Sequence, residues 1–175
     1  MAPLGATAAA GWYRFVGGRT PDPVSFEAGQ ADLERFMQEL PETLPVRTGP
    51  LIIGGFSQGG TSALAFALRN PGAVDGVAVF SGFLADHPTV QATPATAGGR
   101  PVFWGHGTAD EVIPHQMGVH GRRVLSEAGA VVTSHDAPIG YAIDAAELRA
   151  FKGWCAAVTA TGGREPLEKE AAHAG

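Results

Sequence analysis

The sequence is poor in cysteine, in charge and in long apolar runs, and each shortage excludes something. A single cysteine, Cys155, rules out an internal disulfide and leaves the redox compartment open. Charged residues make up 17% of the 175 and the formal net charge is -5. No stripe of Lys and Arg gathers to neutralise phosphates, which excludes nucleic acid as a partner. No run approaches the ~20 apolar residues needed to span a bilayer. The first ten residues, Met1 to Ala10, are small and apolar, without the basic start of a signal peptide. A cytoplasmic location is expected. The many Ala, Gly and Pro and the few Lys suggest a GC-rich bacterial source.

What is present is enough for a folded domain. Hydrophobic residues are 45% of the chain, and its length suffices for one core without a disulfide or metal staple. The expected organisation is a single domain over 1–160 and a flexible, polar, alanine-rich tail over 161–175. Gly17 to Pro23 reads as a turn-rich linker. A helix is expected from Ser25 as N-cap, with Phe26, Leu33, Phe36, Met37 and Leu40 on one face, ended by Pro41 and Pro45. Leu51-Ile52-Ile53 reads as a buried strand broken by Gly54-Gly55, and a helix follows over 58–69. Further strands are expected at 76–80, 102–104 and 130–133, with a loop over 88–99. Helices are expected at 115–128, closed by Gly129, and at 143–154. On that last helix Cys155 reads as a packed, inert thiol. Short apolar strands alternating with helices imply an α/β fold, a parallel sheet covered on both faces, with ligands at the carboxyl ends of its strands.

Two motifs stand at such strand ends. Gly55-Phe56-Ser57-Gln58-Gly59 follows a strand and opens a helix. That is the setting of a nucleophile elbow, where Gly-x-Ser-x-Gly packs a serine into a tight turn. Gly55 and Gly59 must be small because their backbones pass close to Ser57, and Gly60 adds room. The helix start favours negative charge, and the Gln58 N–H, next after the nucleophile, is an oxyanion-hole donor. The second motif is His106-Gly107-Thr108-Ala109-Asp110-Glu111-Val112-Ile113-Pro114.

Together with Gly59-Gly60, the two motifs resemble the carboxylesterase/phospholipase family of α/β-hydrolases, which includes small bacterial esterases and the acyl-protein thioesterases. The likeness runs from about Ala2 to Trp154. It implies a serine hydrolase of carboxylic esters or thioesters, acting on small or medium acyl groups through an acyl-enzyme, with no cofactor and no metal. It implies Ser57 as nucleophile and Asp110 as the acid that orients a histidine. His106 is then structural and Glu111 solvated.

The family's histidine follows the last strand in a turn reading Pro-Met/Ile-Gly-His. Here that turn reads Pro138-Ile139-Gly140-Tyr141, with Asp144-Ala145-Ala146-Glu147-Leu148 still fitting beyond it. Tyr141 stands at the expected histidine. A phenol of ordinary pKa near 10 stays protonated at neutral pH and accepts protons poorly. Among His87, His106, His115, His120, His135 and His173, the substitute base is sought at His135, between the last strand and the turn. Otherwise Asp110 is expected to accept a hydrogen bond from the Tyr141 hydroxyl. In that case the chain is a catalytically impaired relative that binds a ligand or partner. The resemblance also implies first strands and a second oxyanion donor ahead of this segment, and the expectation is that this front of the fold is absent here. Leu51-Ile52-Ile53 would then be an open sheet edge, suited to a homo-oligomer.

Overall fold

A computed structural model describes residues 11–44 and 49–161. Its elements, in order, are β1 (Phe15–Gly17), β2 (Thr20–Pro21), α1 (Pro23–Thr43), β3 (Ile52–Phe56), α2 (Gln58–Arg69) and β4 (Gly76–Phe80). They continue with α3 (Pro94–Ala97), β5 (Pro101–Gly107), α4 (His115–Glu127), β6 (Val131–Ala137) and α5 (Ala145–Thr161). The last four strands make a parallel sheet in the order β3-β4-β5-β6; β1 and β2 form a separate hairpin.

Because side chains alternate along a strand, the register assigns each residue to a face. Val77, Val79, Val102 and Trp104 point to the face covered by α1, α2, α3 and α4, where they join Phe26, Leu64, Leu68 and Leu125 in the larger core. Ala78, Phe80 and Phe103 point the other way, onto Trp154 and Val158 of α5. Both faces are therefore covered, as the alternating pattern predicts. Trp104, Phe103 and Leu64 are wholly buried, and each large apolar side chain removed from water contributes roughly 1.5–3 kcal/mol.

Several local expectations are corrected. The supposed linker is the β1–β2 hairpin. The N-cap of α1 is Asp22, not Ser25: its carboxylate accepts the Ser25 N–H at 3.0 Å, and Pro23 occupies the first turn, where its missing N–H costs nothing. Pro41 does not end α1, which runs on to Thr43; so near the terminus it forfeits little hydrogen bonding. Gly54-Gly55 does not break β3 either. The strand continues to Phe56, and a Cβ on Gly54 would come within 2.9 Å of Ala78. Glycine here marks close backbone approach rather than a turn. The loop over 88–99 holds α3, capped by a reciprocal Thr93–Thr96 box. β6 extends to Ala137, four residues beyond expectation, and so takes in His135. The tail over 162–175 and the first ten residues lie outside the described residues. No helix of the described residues is long and apolar enough to cross a membrane.

Candidate active site at the carboxyl ends of the strands

β3 ends at Phe56, and the chain reverses at Ser57 into α2 with φ 57° and ψ −124°, a conformation non-glycine residues rarely adopt. Such a residue stores of order 1–3 kcal/mol and persists only where its surroundings hold it. The Ser57 N–H donates to the Phe80 carbonyl at 2.8 Å, and the Ser57 carbonyl accepts from Thr61 at 3.0 Å. The crossing that permits the turn is between Gly55 and Gly60. A Cβ on Gly55 would lie 2.5 Å from the Gly59 carbonyl carbon, and one on Gly60 would lie 2.6 Å from the Gly55 oxygen. Gly59 has more space, its nearest neighbour being the Trp12 indole nitrogen at 3.4 Å. The expected pair Gly55 and Gly59 is thus corrected: the crowded positions are Gly55 and Gly60. The Ser57 hydroxyl makes no capping hydrogen bond to α2. It is free of the role a serine at a helix start usually fills.

Gln58 does more than its motif position suggests. Its side-chain oxygen accepts the Trp12 N–H and its amide nitrogen donates to the Tyr13 carbonyl, both at 3.0 Å. The side chain thereby clamps the segment before β1 against the elbow and leaves its own main-chain N–H in the first turn of α2.

Asp110 lies three residues past β5 and is 7% exposed. One carboxylate oxygen accepts the N–H groups of Val112 and Ile113 at 2.9 and 2.8 Å. The other, Oδ2, is buried and has no hydrogen-bond partner. The nearest cation-capable group is the His106 ring, whose Nε2 is 3.5 Å away and meets the Ile113 carbonyl at 2.9 Å instead. A carbonyl only accepts, so His106 Nε2 carries the proton. Burial holds the His106 pKa below the ordinary histidine value, which keeps the ring neutral. His106 braces the loop, as its motif position implied. The Arg19 guanidinium donates to the Val112 carbonyl, tying the β1–β2 hairpin to the same loop.

The turn carrying Tyr141 docks on the end of β5. Ala109 donates to the Ile139 carbonyl at 3.0 Å, and Gly107 packs directly against the main chain of Ile139 and Gly140. Tyr141 stands 37% exposed with its ring 4.6 Å from that of Phe56, beside the nucleophile. Among the described residues no hydrogen bond joins Tyr141 to Asp110. The expected bond from phenol to carboxylate is absent, because the ring lies on Phe56 instead.

The substitute at His135 is corrected as well. The register sets Phe56, Phe80, Gly105 and His135 in one row across the sheet. Strands are ~4.8 Å apart, so His135 sits about 14 Å from Phe56, beyond any hydrogen bond to Ser57. Its residue faces α5. There Glu147 buries its carboxylate over the bare Cα of Gly105, at 2% exposure. Burial raises the Glu147 pKa, opposed in part by a hydrogen bond near Asp144 and by the charge of His135. His115 is occupied with Asp136 at 3.1 Å on the other face.

A parallel sheet with a strained serine at its strand-to-helix elbow defines the α/β-hydrolase fold. Residues 24–158 match the phospholipase/carboxylesterase family, and the chain belongs to that family. Lysophospholipase-like protein 1 of Mus musculus is 34% identical over 113 residues, covering 62% of this chain and 47% of the mouse protein. A protein of Oryza sativa subsp. japonica named "Probable inactive carboxylesterase" is 34% identical over 121 residues, covering 67% and 49%. The crystal structure of SOBER1 from Arabidopsis thaliana superposes with a TM-score of 0.69 at 25% identity, covering 85% of this chain and 73% of that one. The chain spans about half the length of the curated relatives it matches.

Proposed function

We propose that this protein is a serine hydrolase of carboxylic esters or thioesters, acting on small or medium acyl groups, with its catalysis impaired at the base. The observation that carries the reading is Ser57. Its backbone is held in a strained turn, its hydroxyl caps nothing, and it sits at the start of α2. Ser57 attacks the acyl carbonyl, and the Gln58 N–H stabilises the oxyanion that forms. The Ser57 proton needs an acceptor, and Asp110 is placed to orient one rather than to serve as one. Tyr141 holds the acceptor's place. In one serine protease, loss of the histidine costs about 10⁶ in rate. The many Ala, Gly and Pro and the few Lys support a GC-rich bacterial source.

A second reading is a ligand-binding relative that no longer turns over substrate. The buried, unpartnered Asp110 Oδ2 favours it, since an acid without a base to orient has no catalytic use. The two readings part on one experiment. A fluorophosphonate probe, followed by mass spectrometry of the labelled peptide, should modify Ser57 in the hydrolase, and Ser57→Ala should abolish both labelling and ester hydrolysis. No labelling after long incubation would favour the binding relative. Labelling or hydrolysis that survives Ser57→Ala would remove Ser57 from the mechanism.

A further inference from the structure

β4 ends between the two strands that carry the candidate site. The order β3-β4-β5 places it between β3, which leads into Ser57, and β5, which leads to Asp110. Neighbouring strands are ~4.8 Å apart, so β3 and β5 stand about 10 Å from each other across it. The residues that follow β4 therefore form the floor between nucleophile and acid.

The first of them is a second strained serine. Among the described residues only Ser57 and Ser81 are non-glycine residues with positive φ, 57° and 45°. The two turns are built alike. Each serine is the first residue past its strand, and each donates its N–H to the end of the next strand. Ser57 donates to the Phe80 carbonyl at 2.8 Å and Ser81 to the Gly105 carbonyl at 2.9 Å. Ser81 is 1% exposed, and the acyl-enzyme chemistry gives it no task. Glycine would adopt its φ without steric cost. A serine in that place keeps strain of the kind that functional sites hold.

The turn also leans on the elbow. Gly82 packs against the first turn of α2, where an added Cβ would lie 3.3 Å from both the Ser57 carbonyl oxygen and the Thr61 nitrogen. Thr61 joins the two segments. Its N–H donates to the Ser57 carbonyl at 3.0 Å, and its hydroxyl accepts the Phe83 N–H at 3.1 Å. Thr61 and Phe83 are both buried, and the Phe83 ring meets that of Phe15 in the hairpin. The Thr61 hydroxyl thus ties residues 81–83 to the helix that carries the nucleophile.

We propose, resting on the hydrolase reading, that Thr61 and Ser81 are positioning residues. The bond from Phe83 to Thr61 and the strained Ser81 turn hold Ser57 at a set distance from Asp110 and keep its hydroxyl in line for attack. Both act through the main chain at Ser57 rather than on the reacting atoms.

Fluorophosphonate labelling of Ser57 in the full chain tests this, with the limiting first-order rate and the half-saturating probe concentration measured separately, and with urea unfolding of each variant. Ser81→Gly should unfold at higher urea and yet label several-fold more slowly, with half-saturation unchanged. Thr61→Val should label more slowly still, and Thr61→Ser, which keeps the hydroxyl, should recover most of the lost rate. A Ser81→Gly variant that gains stability and labels as fast as the parent would overturn the proposal. Equal losses in Thr61→Val and Thr61→Ser would do so too, as would rates that fall only in step with stability. A parent that is never labelled would reject the hydrolase reading alone. The positioning is then read from hydrogen exchange of the Ser57 amide, which should quicken in Thr61→Val and slow again in Thr61→Ser. A Ser57 amide indifferent to both changes would sink the tie.

Discussion

The nucleophile elbow follows β3 and the Tyr141 turn follows β6, the two outermost strands of the four; Tyr141 spans that gap to reach Phe56, yet the two regions are built to different standards. At the elbow the constraints converge on the half-buried serine: glycines where backbones cross, a positive φ that is held rather than relaxed, and a hydroxyl that does not cap the helix it begins. At the turn the main chain is equally well fixed, bonded to Ala109 and packed on Gly107. Its key side chain, though, has abandoned the acid. Tyr141 lies against Phe56, and the Asp110 oxygen it might have met is buried without a hydrogen bond. The main chain is therefore closely held in both places, and under the proposed function the turn lacks the side chain that would serve as base. A single side chain separates a framework able to hold a base from one that holds an aromatic stack.

Restoring the side chain tests that comparison most strongly. Tyr141→His should raise hydrolysis of a short-chain activated ester at least about tenfold, measured as initial rates at one pH against a Ser57→Ala background. This is far below the roughly 10⁶ that a histidine is worth in a complete site. The gain is discounted because a side chain not held in line catalyses poorly. A rate left at background would show that the turn does not present residue 141 to Ser57.

The elbow's own construction is the next largest effect. Gly55→Ala would force a Cβ into the Gly59–Gly60 main chain, and a destabilisation of about 1–3 kcal/mol is expected from such overpacking. Gly59→Ala, which meets only the Trp12 ring, should cost less than about 1 kcal/mol. Urea unfolding of both variants checks the order. Equal losses would mean that the turn tolerates or refuses side chains without regard to the crossing.

A smaller effect lies beneath the turn. Burial raises the Glu147 pKa in the folded state, so the folded protein binds this proton more tightly than the unfolded chain. Stability from that group is present below the unfolded glutamate value and is lost as pH rises through the raised one. Glu147→Gln should therefore melt higher than the parent near pH 7, with the gap closing as pH falls toward 4. A gap that widens in acid would reverse the sign of the burial effect. The smallest expected change is in His135→Ala, made in the Tyr141→His background: hydrolysis should be unaltered, since two strands, β4 and β5, separate His135 from the elbow. Loss of activity there would make His135 the base.

Most of the fold could be read before any coordinates. The boundaries of α2 and β4 follow from apolar runs ending at glycine or proline, which are local signals. The ends that were misread are those where a distant partner overrides the local signal. β3 runs through Gly54-Gly55 because Ala78 and Gly59 crowd it, and β6 reaches Ala137 because β5 offers pairing as far as Gly107. The site divides the same way. The candidate Ser57 was legible from its motif, and the candidates Asp110 and Tyr141 from the family resemblance. The Gln58 clamp, the importance of Gly60 over Gly59 and the burial of Glu147 over Gly105 were not, since each depends on residues brought together from far along the chain.

By itself, then, the sequence determined the α/β layout and the serine at the strand-to-helix elbow, because turn chemistry and periodicity act over a few neighbouring residues. Only the tertiary structure decided that Tyr141 stacks on Phe56 rather than bonding Asp110 and that His135 is out of reach. Those outcomes rest on register and packing between distant segments. A shift of one strand in a parallel sheet moves a side chain by ~4.8 Å, more than the length of a hydrogen bond.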